Sequence, residues 1–176
     1  MSTFTVIGGG IAGASTAYHL AKLGHHITVY DRLDEGQATS ASAGIICPWT
    51  SQRRNKKWYR LVHEGARYYP SFVQKLESLT ELHTGYSKNG AICMFKDKHI
   101  QQLAFERISK KKETAPEMGE VKMLSDLEQK VLNPSLTSSY PSVFVEGGAQ
   151  INGQQLLATL KQGILHYGGN WIQEDV

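Results

Sequence analysis

Cysteine is nearly absent: Cys47 and Cys93 are the only two in 176 residues. With no CxxC and no framework spacing, they exclude a disulfide-stapled secreted scaffold and fit a reducing compartment. Each is expected to be a small buried hydrophobe rather than a nucleophile. Long apolar runs are missing as well. No stretch approaches the about 20 residues a helix needs to cross a bilayer, so an integral membrane protein is not expected. Met1-Ser2-Thr3-Phe4 lacks the basic segment of a signal peptide, and glycines break the apolar run behind it. The expected location is the cytoplasm. Charge of one sign is lacking too, the net value being +3. The basic clusters Arg53-Arg54-Asn55-Lys56-Lys57 and Lys110-Lys111-Lys112 are short and separate, so they read as solvated faces and nucleic acid is not expected as a partner.

What is present is the composition of a globular chain, 40% hydrophobic and 20% charged with 17 glycines, which has room for one nucleotide-binding unit with an insertion. Phe4 to Ile7 reads as a strand, and Ile11, Ala14, Ala17, Tyr18, Ala21 and Leu23 recur at helical spacing up to Gly24. Ile27 to Tyr30 is β-branched and aromatic, a second strand, so the three elements predict a parallel βαβ unit. From Glu35 to Gly44 the residues are small and polar, the signature of a loop along which a ligand can lie.

Trp58, Leu61, Val62, Ala66, Tyr69, Phe72, Val73 and Leu76 predict a long helix facing a core, bent near Pro70. A buried strand is expected at Ala91–Phe95, a helix at Ile100–Lys112, a short strand at Val121–Leu124 and a helix capped by Ser125. Val143–Val145 reads as a strand. Asn152 is placed to cap a helix carrying Leu156, Leu157, Leu160, Ile164 and Leu165, and Asn170-Trp171-Ile172 begins a last strand. The organisation expected is a nucleotide-binding part at 1–50, an α+β insertion at 51–142 and a return to the first layer at 143–176.

The chemistry sits in Gly8-Gly9-Gly10-Ile11-Ala12-Gly13, a GxGxxG where a strand gives way to a helix. Gly8 permits the tight turn, Gly10 lets a pyrophosphate approach the backbone, and Gly13 lets the helix pack on the strand. The helix N-terminus then holds the diphosphate by its free N–H groups and positive dipole end. Asp31 closes the second strand about 20 residues on, where a carboxylate accepts hydrogen bonds from a ribose diol and repels a 2′-phosphate. These features predict dinucleotide binding, and by themselves leave FAD and NAD both open.

Phe4-Thr5-Val6-Ile7 with the glycine turn, the pair Asp31-Arg32, and Ala38-Thr39-Ser40-Ala41-Ser42-Ala43-Gly44-Ile45-Ile46 resemble the start of the D-amino-acid oxidase superfamily of flavoproteins. That superfamily includes glycine oxidase, sarcosine oxidase and D-amino-acid dehydrogenases. Val145-Glu146-Gly147-Gly148-Ala149-Gln150-Ile151-Asn152 resembles its crossing back into the flavin domain, whereas 50–142 matches only in outline. The resemblance implies an α/β fold, a Rossmann-like FAD-binding βαβ domain of the glutathione-reductase type with an α+β substrate-domain insertion, cut short. It implies FAD as cofactor and hydride transfer from the α-carbon of an amine or amino acid. It places Ile11 and Ala12 on the pyrophosphate and Asp31 and Arg32 on the adenosine ribose. Ala38, Thr39 and Ser40, with Ala43, Gly44 and Ile45, run along the pyrophosphate, ribityl chain and flavin, and Val176 lies near adenine. The sequence departs from the commoner pattern with Asp31 for Glu and Asn152 for Asp.

No catalytic residue is named, because the family's substrate-clamping arginine comes from a second half of the chain. The expected partners are a small-molecule amine or amino acid, and either a complementary C-terminal half or a second copy of this chain. His25, His26, His63, His83, His99 and His166 show no metal-ligand spacing, so no metal site is expected. Trp49, Trp58 and Tyr59 are candidates for a substrate pocket, although Trp58 also fits the core face of its helix. Arg53 and Arg54 are candidates for a carboxylate contact, against the plainer reading of a solvated turn. The competing readings are a non-catalytic dinucleotide-binding module or vestigial fragment, and an NAD-dependent enzyme with an unusual insertion.

Overall fold

The computed structural model describes residues 1–136 and 139–175. Strand β1 (Thr3–Ile7), helix α1 (Ile11–Lys22) and strand β2 (His26–Tyr30) follow one another, then β3 (Ile45–Ile46) and the long helix α2 (Lys56–Thr80). Next come β4 (Ala91–Met94), α3 (Lys98–Ser109), β5 (Val121–Leu124), α4 (Asp126–Leu132), β6 (Ser142–Val145) and β7 (Ala149–Gln150), and finally α5 (Gly153–His166) and β8 (Asn170–Ile172). The chain divides into two compact units, one of Met1–Gly44, Pro70–Tyr86 and Ile151–Val176, the other of Ile45–Tyr69 and Ser87–Gln150. Among the described residues no helix is long and apolar enough to cross a membrane.

The first unit is the expected α/β one. Its three strands are parallel in the order β1-β2-β8, with Thr5 opposite Thr28 and Val29 opposite Trp171. Ile27 and Val29, two apart in the strand, are both buried. Helix α1 presents a face of small residues, Ala14, Ala17 and Ala21, and packs on α5. Gly163 is where the two helices come closest: a Cβ there would stand 2.8 Å from the Tyr18 ring. Leu156, Leu160 and Ile164 recur every four residues of α5 and are buried. As expected, Asn152 caps this helix, its side chain accepting from the Gln155 N–H at 3.0 Å.

The second unit is built on an antiparallel sheet of order β4-β6-β5. Val143 and Val145 of the central strand join Trp49, Ala66, Ile108, Ala115 and Met118 in one core. A second, two-stranded ribbon pairs Ile45 and Ile46 with Gln150 and Ala149. Ser125 begins α4 with a full capping box, in which its hydroxyl accepts from the Glu128 N–H and the Glu128 carboxylate accepts from the Ser125 N–H.

Several expectations needed correction. Val143–Val145 is a strand, but it is the middle of the antiparallel sheet, and the first unit resumes only at Ile151. Ala91–Met94 lies at that sheet's edge and is half-buried rather than buried, as an edge strand must be. The long helix expected from Trp58 to Leu76 does form, over Lys56–Thr80 with Pro70 inside it. Leu61 does not share its buried face, being 73% exposed. The helix expected to reach Lys112 tightens after Ser109 into a single 3₁₀ turn at Lys110–Glu113.

Candidate functional site

Between β1 and α1 the turn consists of Gly8, Gly9 and Gly10 alone. Gly8 has φ +93°, a left-handed conformation that side chains resist, and its N–H donates to the Tyr30 carbonyl at 2.8 Å. The ends of β1 and β2 are thereby tied together. A Cβ on Gly13 would overlap the Gly8 carbonyl, so the close approach of helix and turn requires glycine there. Gly10 differs. Its φ is −64° and the nearest neighbour of an added Cβ would be Thr39 Oγ1 at 3.7 Å. The protein's own packing leaves room for a Cβ over Gly10, so the fold itself does not demand glycine there.

Gly10 is the N-cap of α1 and has no side chain to cap it. The Thr39 hydroxyl, 28 residues away, takes over and accepts from the Ile11 N–H at 3.1 Å. First-turn amides have no acceptor inside a helix. Those of Ala12 and Gly13 stand at the positive end of the helix dipole, a setting that favours an anion. Asp31 reaches the same turn: its carboxylate accepts from the N–H of Gly9 and, at 2.8 Å, from that of Leu33. It thus clamps the turn through the protein's own backbone, besides standing where a ribose contact was expected.

Beside the turn lies a cleft of about 560 Å³ whose lining includes Gly8, Tyr30, Asp31, Arg32, Gln37 and Glu174. Asp34, Glu35 and Asp175 also line it, leaving Arg32 as the one basic residue. The Arg32 guanidinium donates to Asp34 at 2.6 Å and lies 3.5 Å from Asp175. The hydrogen bond to Asp34 and the charges of both acids push its pKa above the usual value. The lining of the cleft is thus predominantly acidic.

Of the remaining sequence-predicted residues, Ala38, Thr39 and Ser40 form a turn in which the Ser42 hydroxyl donates to the Thr39 carbonyl at 2.8 Å. Only Thr39 of these is hydrogen-bonded to the helix N-terminus. Gly44 accepts at its carbonyl from the Ile151 N–H at 3.0 Å, while Ala43 is exposed. Ile45 opens the second unit, where it is 72% exposed and pairs with Gln150. Val176 lies outside the described residues.

In the second unit the aromatic candidates separate. Trp49 is 2% exposed and belongs to the core. Tyr59 packs against that core. Trp58 does border a cavity, an apolar one of about 570 Å³ shared with Ile45, Cys47, Val62 and Tyr69, and the Arg53 guanidinium stands 4.8 Å from its ring. Cys47 is half-buried rather than buried, and burial, then the neighbouring Cys93, pushes its pKa up to about 11. Lys111 departs from the solvated face expected of its cluster. Its ammonium donates to the carbonyls of Trp49 at 2.7 Å and Ser51 at 3.0 Å, and burial followed by the charge of Arg107 pushes its pKa down. Sequence reasoning also missed the part-buried pair of His63 and Glu117, 2.5 Å apart, since nothing local connects residues 54 positions apart.

A parallel strand, glycine turn and helix, followed by a strand ending in an acid, define a dinucleotide-binding fold of the Rossmann class. The family model described as FAD dependent oxidoreductase, DAO, matches residues 3–176, and the chain belongs to this family. The resemblance read from the two flanks is borne out. The chain is 48% identical over 160 residues to an uncharacterized oxidoreductase, YurR, of Bacillus subtilis (strain 168), covering 91% of this chain and 43% of the relative. Its structure resembles iminodiacetate oxidase (IdaA) from Chelativorans sp. BNC1 with a TM-score of 0.93 at 35% identity, over 99% of this chain and 47% of the other. It shares the fold of glycine oxidase from Bacillus cereus ATCC 14579, with a TM-score of 0.81 at 21% identity over 98% and 47% of the two chains. The chain therefore spans about half the length of the relatives it matches.

Proposed function

We propose that this chain binds the ADP moiety of FAD in the glycine turn and contributes that cradle to an oxidoreductase acting on an amine or amino acid. The observation that carries the reading is the contrast at the turn: Gly8 and Gly13 are demanded by the backbone, whereas at Gly10, the N-cap of α1, the protein's own packing leaves room for a Cβ. In this reading Ala12 and Gly13 hold the pyrophosphate by their N–H groups, with Ile11 at its side. Asp31 and Arg32 border the adenosine, and Thr39 with Ala38 and Ser40 closes over the diphosphate. Ala43, Gly44 and Ile45 lead towards the flavin, and Val176 towards adenine. Bound FAD supplies the acceptor for a hydride leaving the substrate's α-carbon. Residues 1–50 and the return within 143–176 serve the cofactor, and 51–142 face the substrate. The amine or amino-acid class is supported by the relative named iminodiacetate oxidase, 35% identical over nearly all of this chain.

Titration of the purified chain with FAD, ADP, NADH and NADPH tests the reading. FAD and ADP are expected to compete for one site, with a shifted flavin absorption band, and NADPH is expected to fail because of the acidic cleft. Preferential binding of NADH with no uptake of FAD would overturn the assignment.

A further inference from the structure

Gly9, the middle glycine of the turn, is buried, and its φ lies outside the left-handed region that calls for glycine. What demands glycine there is a neighbour from the far end of the sequence. A Cβ on Gly9 would stand 2.6 Å from Trp171 Cη2, overlap the adjoining atom of the same ring, and lie 3.0 Å from the Asp31 Cβ. Trp171 belongs to β8, opposite Val29 of β2. Lys161 Nζ sits 5.3 Å from the centre of its ring, and the buried indole Nε1 has no hydrogen-bond partner among the described residues. Gly9 is thus held from two sides, its N–H on the Asp31 carboxylate and its Cα against the indole.

We propose that Trp171 is a positioning residue for the nucleotide turn, wedging Gly9 against Asp31 and so fixing where the first amides of α1 point. Glycine at position 9 answers the tryptophan, whereas glycine at position 10 answers the ligand. The inference rests on the reading above that this turn holds a dinucleotide.

The test is a double-mutant cycle on the full chain, G9A, W171F and both together, read by ADP affinity and by the urea midpoint. W171F removes the outer ring atoms that the new methyl would meet and keeps an aromatic ring. G9A is expected to weaken ADP binding by at least about tenfold and W171F by about threefold, while the double variant stays within about threefold of W171F alone. The midpoint should show the same partial rescue. With 5-fluorotryptophan incorporated, the fluorine resonance missing from W171F should shift as ADP saturates the parent chain. Losses that multiply in the double variant would overturn the proposal, as would a Trp171 resonance unmoved by saturating ADP. Failure of the parent to bind ADP or FAD would instead defeat the functional reading, and the urea midpoints would still decide the wedge: additive losses remove it, sub-additive losses retain it.

Discussion

The glycine turn of the parallel unit and the Trp49 turn of the antiparallel unit are both held by hydrogen bonds from distant residues, yet the distances differ in kind. In the first, Gly9 meets Asp31 across 22 positions and Ile11 meets Thr39 across 28. In the second, Arg107 donates to the Thr50 carbonyl across 57 positions and Lys111 to the Trp49 carbonyl across 62. The shorter spans fall within one βαβ unit and the loop that follows it, and the unit's glycines, helix and acid keep a fixed order that chemistry requires. The longer span obeys no such order, since any cation that the fold brings to the turn can satisfy its carbonyls.

Core truncations probe this comparison with the largest effect. Leu160 in the parallel unit and Met118 in the antiparallel unit are both fully buried. Leu160→Ala and Met118→Ala are each expected to lower stability by about 2–5 kcal/mol in urea denaturation. Only Leu160→Ala should also weaken ADP binding measured below its midpoint, because α5 backs the helix that carries the turn. An equal loss of ADP affinity in both would break the distinction.

Within the turn, Gly13→Ala drives a methyl into the Gly8 carbonyl and is expected to cost about 1–3 kcal/mol while abolishing ADP binding. Gly10→Ala should leave stability within about 1 kcal/mol and still weaken ADP binding by at least about tenfold. A Gly10→Ala chain that binds ADP normally would show that the free space above this residue is not a ligand site.

The smallest effect concerns the cap of α4. Ser125→Ala is expected to cost about 1 kcal/mol. Hydrogen bonds from Ser125, and then from Lys122, hold the Glu128 carboxyl down to about 2 from an ordinary 4.5. A depressed folded-state value means that the carboxylate's contribution is fully present above about pH 4.5 and is lost as pH falls through about 2. Glu128→Gln should therefore flatten the acid limb of the stability curve in that window, and an unchanged limb would sink the assignment.

Legibility in the sequence followed this division by distance. The βαβ unit, the Asn152 cap and the Ser125 cap were readable because each rests on neighbours a few residues apart or on a motif with fixed spacing. The role of β6 was not: Val143 and Val145 announce a buried strand, but alternation alone does not say which sheet receives it. Lys111 looked solvated because its neighbours Lys110 and Lys112 set the local character, while its carbonyl partners lie in another segment. His63 and Glu117 carried no signal for the same reason.

The sequence by itself determined the turn's backbone, since Gly8 and Gly13 admit a conformation and an approach that side chains forbid, and it determined the acid that ends β2. Both follow from sterics and charge within one short segment. Only the tertiary structure decided why Gly9 is glycine, that Asp31 holds the turn before it holds any ligand, and that a threonine from the following loop caps α1. Those depend on which side chains the folded chain brings beside the turn. Trp171 arrives there only once β8 has paired with β2, a contact that no local pattern encodes.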